Sequence, residues 1–441
     1  MEDMDDRLQR AAVRIREAAL RAADPGAAVE RNLTCDGASL RIAGVPLAPR
    51  GALYVAAVGK AAPAMAEAAV RILGPRVAGG IVVMPHGYRT SLASDARFAV
   101  HSSGHPTPDA AGVEAARGLA SLVDGMGEQD VCLFLLSGGG SSLLPLPRDP
   151  VTLADKARTT SLLLACGADI REINTVRKHI SAVKGGQLAA RTRGTLLTLV
   201  LSDVVGDPLE FIASGPTVGD STTFADARAI LQRRGVWDGA PQSVRRLIED
   251  GVRGDAAETP KALPERHRTA LIASNGIAVR AAMEEAGRQG FPALLLTTFL
   301  TGEAREAGRF FAAVAKEALH SGSPVRGPAC LIAGGETTVS LRGRGRGGRN
   351  QEIALAAADA LDGESGVLLC SFATDGKEGN SDAAGACVDG RTAGRGRDLG
   401  LDLHARLADN DSSGYFSKAG GLVVTGPTYT NVNDLTFALI G

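Results

Sequence analysis

Aromatic side chains make up only 4% of this chain, with a single Trp and 4 Tyr, which leaves little surface for stacking on nucleic-acid bases. Neither sign of charge predominates: 48 Lys and Arg face 49 Asp and Glu, a net charge of −1. A protein that tracks a phosphate backbone needs a basic field, and this composition provides none. Every apolar run falls well short of the ~20 residues that span a bilayer. The opening Met-Glu-Asp-Met-Asp-Asp has neither the basic start nor the apolar core of a signal peptide. The six cysteines (35, 132, 166, 330, 370 and 387) include no CxxC pair. Cys132, Cys330 and Cys370 sit in apolar strand-like runs, where a reduced thiol behaves as a small hydrophobe. His86, His101 and His105 lack metal-ligand spacing on a common helix. These absences predict a cytoplasmic protein with reduced cysteines and no zinc site, with no membrane segment and no nucleic-acid partner.

Three catalytic signatures are missing as well. There is no G-x-S-x-G elbow, no Walker P-loop, and no strand-to-helix G-x-G-x-x-G followed by a ribose-binding acid.

What is present is apolar content of 44% over 441 residues, enough for two or more cores. Residues 5–24 have the periodicity of an amphipathic helix. Strand-like runs at 52–58, 80–84, 131–136 and 195–201 then alternate with helical patterns near 61–73, 109–124, 152–166 and 177–191. Continuous apolar strands between helices predict a doubly wound α/β fold with a parallel sheet. Residues 238–268 are rich in Gly, Pro, Arg and Asp and read as a domain junction. Beyond it, strands are expected near 269–273, 292–298, 329–333, 337–341 and 367–373, with helices near 277–289, 303–320 and 350–361. The domains are therefore expected at 1–250 and 265–441.

Several polar clusters follow apolar strands, where the ligand loops of open α/β sheets gather. Lys60, in Val-Gly-Lys-Ala-Ala (58–62), stands where a helix begins. Ser137, Gly138, Gly139, Gly140, Ser141 and Ser142 form a glycine–serine loop whose N–H and hydroxyl groups suit a phosphate or carboxylate. Asp203, in Leu-Ser-Asp-Val-Val-Gly-Asp (201–207), is placed to meet a hydroxyl or a metal, or to cap a turn. Asn275 opens a helix as a cap or a nucleotide contact. Asp375 and Asp382 flank a loop where one or two carboxylates could hold Mg²⁺ beside substrate phosphates. Most informative is 334–352, in which Arg342, Arg344, Arg346 and Arg349 are interleaved with glycines between a strand and a helix. Guanidinium forks on permissive backbone predict an anion site, with an exposed basic hairpin or an RGG-like nucleic-acid segment as the alternatives.

Taken in order, these motifs resemble glycerate 2-kinase of the type with a C-terminal MOFRL domain, sometimes labelled hydroxypyruvate reductase. Ile-Asn-Thr-Val-Arg-Lys-His (173–179), Gly-Gly-Glu-Thr-Thr-Val (334–339), Gly-Arg-Gly-Gly-Arg-Asn-Gln-Glu (345–352) and Asn-Val-Asn-Asp-Leu (431–435) extend the match over nearly the whole chain. The resemblance implies a large Rossmann-like N-terminal domain, a smaller α/β C-terminal domain with a MOFRL-like region at 328–436, and an active site in the inter-domain cleft. It implies ATP and Mg²⁺ as cofactors and phosphorylation of D-glycerate at its 2-hydroxyl. Lys60, Arg349 and Asp203 would be catalytic, and the 137–142 loop, Arg177, Lys178, Asn275, Glu336 and Asn350 would bind substrate and phosphate. Asp375 and Asp382 would hold the metal, although the loop between them, Gly-Lys-Glu-Gly-Asn-Ser (376–381), departs from the family's Gly-x-Asp-Gly-Pro-Thr. The expected partners are D-glycerate and ATP, with a homodimer as the open assembly state. Two alternatives are an NAD(P)H-dependent hydroxypyruvate reductase and a non-catalytic sugar-phosphate-binding regulator.

Overall fold

The computed structural model describes residues 4–36 and 39–441. The chain divides into two compact units. One comprises Pro25–Ser202 and Asp207–Ile272; the other comprises the residues up to Asp24, Asp203–Gly206 and Ala273–Gly441.

The first, a parallel-sheet unit, begins with a small antiparallel sheet of β1 (Leu33–Asp36), β2 (Ser39–Ile42) and β3 (Val45–Leu47). Its main sheet contains β4 (Leu53–Val58), β5 (Val77–Pro85), β6 (Phe98–Ser103), β7 (Val131–Leu136), β8 (Thr195–Leu201) and β9 (Arg268–Ala273), in the order β6-β5-β4-β7-β8-β9. β4 pairs in parallel with both β5 and β7. All six residues of β7 are buried, which explains an apolar run without alternation: both faces are covered. The chain leaves β4 outward through β5 and β6, then returns to β7 on the other side. Order therefore reverses between β4 and β7, the switch point where doubly wound sheets open to ligands.

Helix starts in this unit follow local capping chemistry. Thr152 with Asp155 and Asp169 with Glu172 form capping boxes ahead of the helices Leu153–Ala165 and Ile170–His179. The helix expected over 177–191 is thus displaced. It runs Ile170–His179, then breaks before Gly185 and Gly186, whose φ angles of 58° and 76° are incompatible with a right-handed helix.

The second, mixed-sheet unit contains β10 (Ala293–Leu300), β11 (Ala329–Gly335), β12 (Val367–Ala373), β13 (Gly385–Asp389), β14 (Leu422–Val423) and β15 (Asp434–Ile440), ordered β10-β11-β15-β12-β13-β14. β10 and β11 run parallel; the other neighbours are antiparallel. The central β15 is buried along all 7 residues. The helix Met4–Ala23 belongs to this unit. The Arg7 guanidinium lies 4.7 Å from the Phe291 ring centre, and Thr430 Oγ1 donates to the Ala23 carbonyl at 2.6 Å.

Two expectations are corrected here. Residues 337–341 do not form a strand; they make a single bridge, Thr338 to Glu303. The Glu303 carboxylate accepts from both the N–H and the hydroxyl of Ser340, which holds the segment as a loop. Cys370 is not a free thiol. It lies directly opposite Cys387 in the β12–β13 ladder, and the two form a disulfide.

Candidate functional site

At the switch point, Val58 is in register with both Val83 and Leu136, so the loops after β4 and β7 start side by side. The Lys60 N–H donates to the Gly138 carbonyl at 2.9 Å, and the Ala61 N–H donates to Ser137 Oγ at 3.0 Å. Gly59 is required for this approach: its φ is 128°, and a Cβ there would stand 2.1 Å from Ser137 Oγ. Ser142 and Leu143 donate their N–H groups to the Gly139 carbonyl. The N–H groups of Gly140 and Ser141 begin the turn and have no carbonyl one turn back to bond. Half-buried Lys60 stands against the same loop: its Cγ would lie 3.5 Å from a Cβ on Gly139. Backbone amides beside a mobile cation are the groups from which anion cradles are built. His105 completes the rim: a Cβ on Gly139 would lie 2.9 Å from its ring. Burial and the neighbouring Lys60 charge both hold the His105 imidazole below its usual pKa.

The loop is held from behind. Ser141 Oγ lies 2.7 Å from Ser214 Oγ, which donates to Asn174 Oδ1 at 2.9 Å. Ser214 and Ala213 occupy positive φ, 62° and 51°, a conformation that costs a non-glycine residue on the order of 1 kcal/mol. The strain is local to the loop's support. Lys184 is 1% exposed and reaches in to donate to the Ser141 carbonyl at 2.9 Å. Lys178 is placed differently from the sequence expectation: fully buried, it pairs with Asp220 at 2.6 Å and Glu210 at 3.1 Å. Its charge is compensated inside the protein, whereas its neighbour Arg177 is half-buried.

In the mixed-sheet unit, Arg349 opens the helix Arg349–Ala360. Its Nε and Nη2 grip Asp434 at 2.5 and 2.9 Å, and Nη1 bonds Glu336 at 2.8 Å. Although burial opposes its charge, Asp434 raises the Arg349 pKa further and keeps it protonated. Three of the five N–H donors of the guanidinium are thus used, leaving one on each terminal nitrogen. The start of this helix is not the open anion site that the sequence suggested. Glu378 fills it, accepting from the N–H groups of Asn350 at 2.7 Å and Gln351 at 2.8 Å. Burial pushes the Glu378 carboxyl up to about 8 against the pull of those N–H groups. Asn350 is itself fully buried, with Oδ1 accepting from Ser371 Oγ at 2.6 Å.

The glycines of the arginine segment also have a different purpose. Cβ atoms on Gly343, Gly345 and Gly347 would lie 2.3, 2.4 and 2.1 Å from Asp409, Asp411 and Ser412. In the extended chain, successive residues point to opposite sides. The glycines therefore face the protein while Arg342, Arg344 and Arg346 face solvent. Permissive backbone serves close packing on 409–412, not close approach to a ligand.

Asn275 neither caps its helix nor stands free. Ser274 is the cap, and the Asn275 amide donates to the carbonyls of Val432 and Asp434, both at 2.9 Å. Asp382 has a side chain 91% exposed, 3.8 Å from Lys377, while Asp375 accepts from the Lys377 N–H. Among the described residues, no group of three His, Cys, Asp or Glu is arranged to hold a metal ion. The two aspartates are thus not assembled as a ready ligand set. Asp203, half-buried, opens the short segment Asp203–Gly206 grouped with the mixed-sheet unit. No described helix is long and apolar enough to cross a membrane.

Sequence reasoning reads Ser214 as part of a turn bordering the cleft, and assigns no site role to His105, Asn174, Lys184, Asp434 or Glu378. His105 and Glu378 lie in conspicuous polar motifs, but neither spacing indicates a contact with residues so distant in the chain.

Residues 11–249 match a family model described as a domain of unknown function (DUF4147), and residues 329–434 match the MOFRL family. The chain is 45% identical over 424 residues to the glycerate 2-kinase of Pyrococcus horikoshii, covering 96% of this chain and 95% of that one. It is 47% identical over 391 residues to the D-glycerate 2-kinase of Thermotoga maritima, covering 88% and 90%. A crystal structure of glycerate kinase from Thermotoga maritima matches with a TM-score of 0.89 at 43% identity, covering 98% of this chain and 99% of that one.

Proposed function

The chain belongs to the glycerate kinase family, and on that premise we propose that it transfers the γ-phosphoryl group of MgATP to the 2-hydroxyl of D-glycerate, giving 2-phospho-D-glycerate. The observation that carries this reading is the glycine–serine loop at the strand switch point, where Lys60 bonds Gly138 through its N–H and its side chain stands against Gly139. Phosphoryl transfer demands charge neutralisation and in-line positioning more than covalent chemistry, and such a loop supplies both. Lys60 takes up charge on the transferring group. Asp203 orients or deprotonates the attacking hydroxyl. Arg349 directs its two remaining N–H groups to phosphoryl oxygens while Asp434 fixes its plane. Mg²⁺ travels with the nucleotide, and Asp375 is the carboxylate proposed to reach it; Asp382, at 91% side-chain exposure, is held by little in the fold.

A dinucleotide-dependent reductase needs a ribose-binding acid after a glycine turn, and neither opening loop of the parallel sheet has one. The test is direct. Incubation with MgATP and D-glycerate, with the product identified by ³¹P and ¹H NMR, is expected to yield the 2-phosphate and ADP in equal amounts. NADH consumption with hydroxypyruvate and no ADP release with glycerate would overturn the reading. Ligand binding without turnover of ATP would point to the regulator instead.

A further inference from the structure

Behind the glycine–serine loop lies a group of three cations, two of them buried lysines to which the kinase reading gives no role. Lys156, from the helix Leu153–Ala165, is 5% exposed, and its Nζ has no hydrogen-bond partner. Lys184 is 1% exposed and donates to the Ser141 carbonyl. Arg177, from the helix Ile170–His179, is half-buried and stands near both: its charge acts on Lys156, and the charges of Lys156 and Arg177 act on Lys184. Among the described residues, no carboxylate acts on any of the three.

Nearby acids are engaged elsewhere. Asp155 is bonded to Thr152 and Ser243, Glu172 to Arg233 and Arg234, and Asp220 and Glu210 to Lys178. Like charges gathered in a poorly hydrated place, one with an unpartnered ammonium, are costly unless an anion joins them. Burial already lowers Lys156 to about 7, and the Arg177 charge adds to that effect. A binding oxyanion would restore the proton and the hydrogen bond together.

Resting on the kinase reading, we infer that Lys156, Arg177 and Lys184 form the subsite for the carboxylate of the acid substrate. Access is past Ser141 and Arg177, which are half-buried, whereas the two lysines lie behind them. In a 2-hydroxy acid the carboxylate and the reacting hydroxyl are borne by adjacent carbons, so their two sites must be neighbours without being the same. The loop meets that requirement: Lys60 is anchored through its backbone N–H at Gly138, and the Lys184 ammonium is bonded at Ser141. The same cations could instead receive a nucleotide phosphate, and the experiment separates the two sources.

Lys156→Met and Arg177→Gln would be made in the full chain, and initial rates measured with D-glycerate and MgATP varied separately. The expected result is a rise of ~10-fold or more in KM for D-glycerate, with KM for MgATP within about 2-fold of wild type. D-glycerate alone should raise the melting temperature of the wild type and lose that effect in both variants. Unliganded Lys156→Met should melt no lower than wild type, because an unpaired buried charge has been replaced by an apolar chain of similar shape. A rise confined to KM for MgATP would overturn the carboxylate assignment. Unchanged KM for D-glycerate in a folded variant would leave the cluster purely structural. If Lys156→Met fails to fold, Arg177→Gln decides the matter through discrimination between D-glycerate and uncharged D-glyceramide, which should collapse. Failure of wild type to phosphorylate D-glycerate would overturn the kinase reading, while the melting experiment still reads the subsite by itself.

Discussion

Lys60 and Arg349 make different demands on their surroundings, and their substitutions should behave differently. Lys60 is a mobile point charge against the glycine–serine loop. Lys60→Met is expected to lower kcat by ~10²-fold or more with an unchanged melting temperature, since no described hydrogen bond of the fold depends on its ammonium. Arg349 is a planar fork gripping Asp434 through two nitrogens. Arg349→Lys keeps the charge and loses the fork, so activity should fall nearly as far as with Arg349→Ala. Stability should fall as well, because Asp434 is buried and would be left imperfectly paired. Steady-state kinetics and thermal melting on the same samples check both statements. Full activity in Arg349→Lys would contradict the fork.

At the scale of elements, glycine spacing and histidine burial both lead to measurable outcomes. Gly345 faces Asp411, with 2.4 Å available to a Cβ, so Gly345→Ala forces the 342–347 segment off the 409–412 segment. The expected loss is ~1–3 kcal/mol of unfolding free energy, read by denaturant titration, and Arg344→Ala on the solvent side should cost almost nothing. The β8 end of the parallel sheet contains a pH-sensitive contact. His267 Nδ1 accepts from the Leu196 N–H at 3.1 Å, and burial, aided by the Arg266 charge, pulls the imidazole down to about 4. The unfolded chain takes up this proton below ~6.5, the folded one only near 4. Stability from this group is therefore complete above pH 6.5 and lost as pH falls toward 4. Glu172, drawn down to about 2 by its bonds to Arg234 and Arg233, acts in a lower window. His267→Gln should flatten the melting temperature between pH 6.5 and 4; an unaltered slope would dismiss this contact as its origin.

For the whole molecule, the alternation of apolar runs and helical periods was enough to read the parallel sheet, because strands covered on both faces have no polar side to hide. β7 and β8 coincide with the runs 131–136 and 195–201. β6 escaped notice because Phe98–Ser103 is half polar and lies at the sheet edge. β15 escaped because its first residue, Asp434, closes a polar loop, and its place at the centre of a sheet depends on partners far away in sequence. In the site, the turn after β7 could be anticipated, since glycines and serines after an apolar strand carry their own reason. The occupation of the Arg349–Ala360 helix start by Glu378 could not be. A carboxylate 28 positions away is invisible to periodicity and decisive in space.

Composition and local pattern, acting through short-range backbone chemistry, determined the apolar strands of the parallel sheet's interior and that polar, glycine-bearing loops follow β4 and β7. Tertiary structure alone decided which cations are compensated and which are not. Lys178 and Arg177 are neighbours in sequence, yet one finds Asp220 and the other joins two lysines with no acid among them. Charge compensation depends on distances of a few ångströms between residues far apart in the chain, which only the folded packing sets.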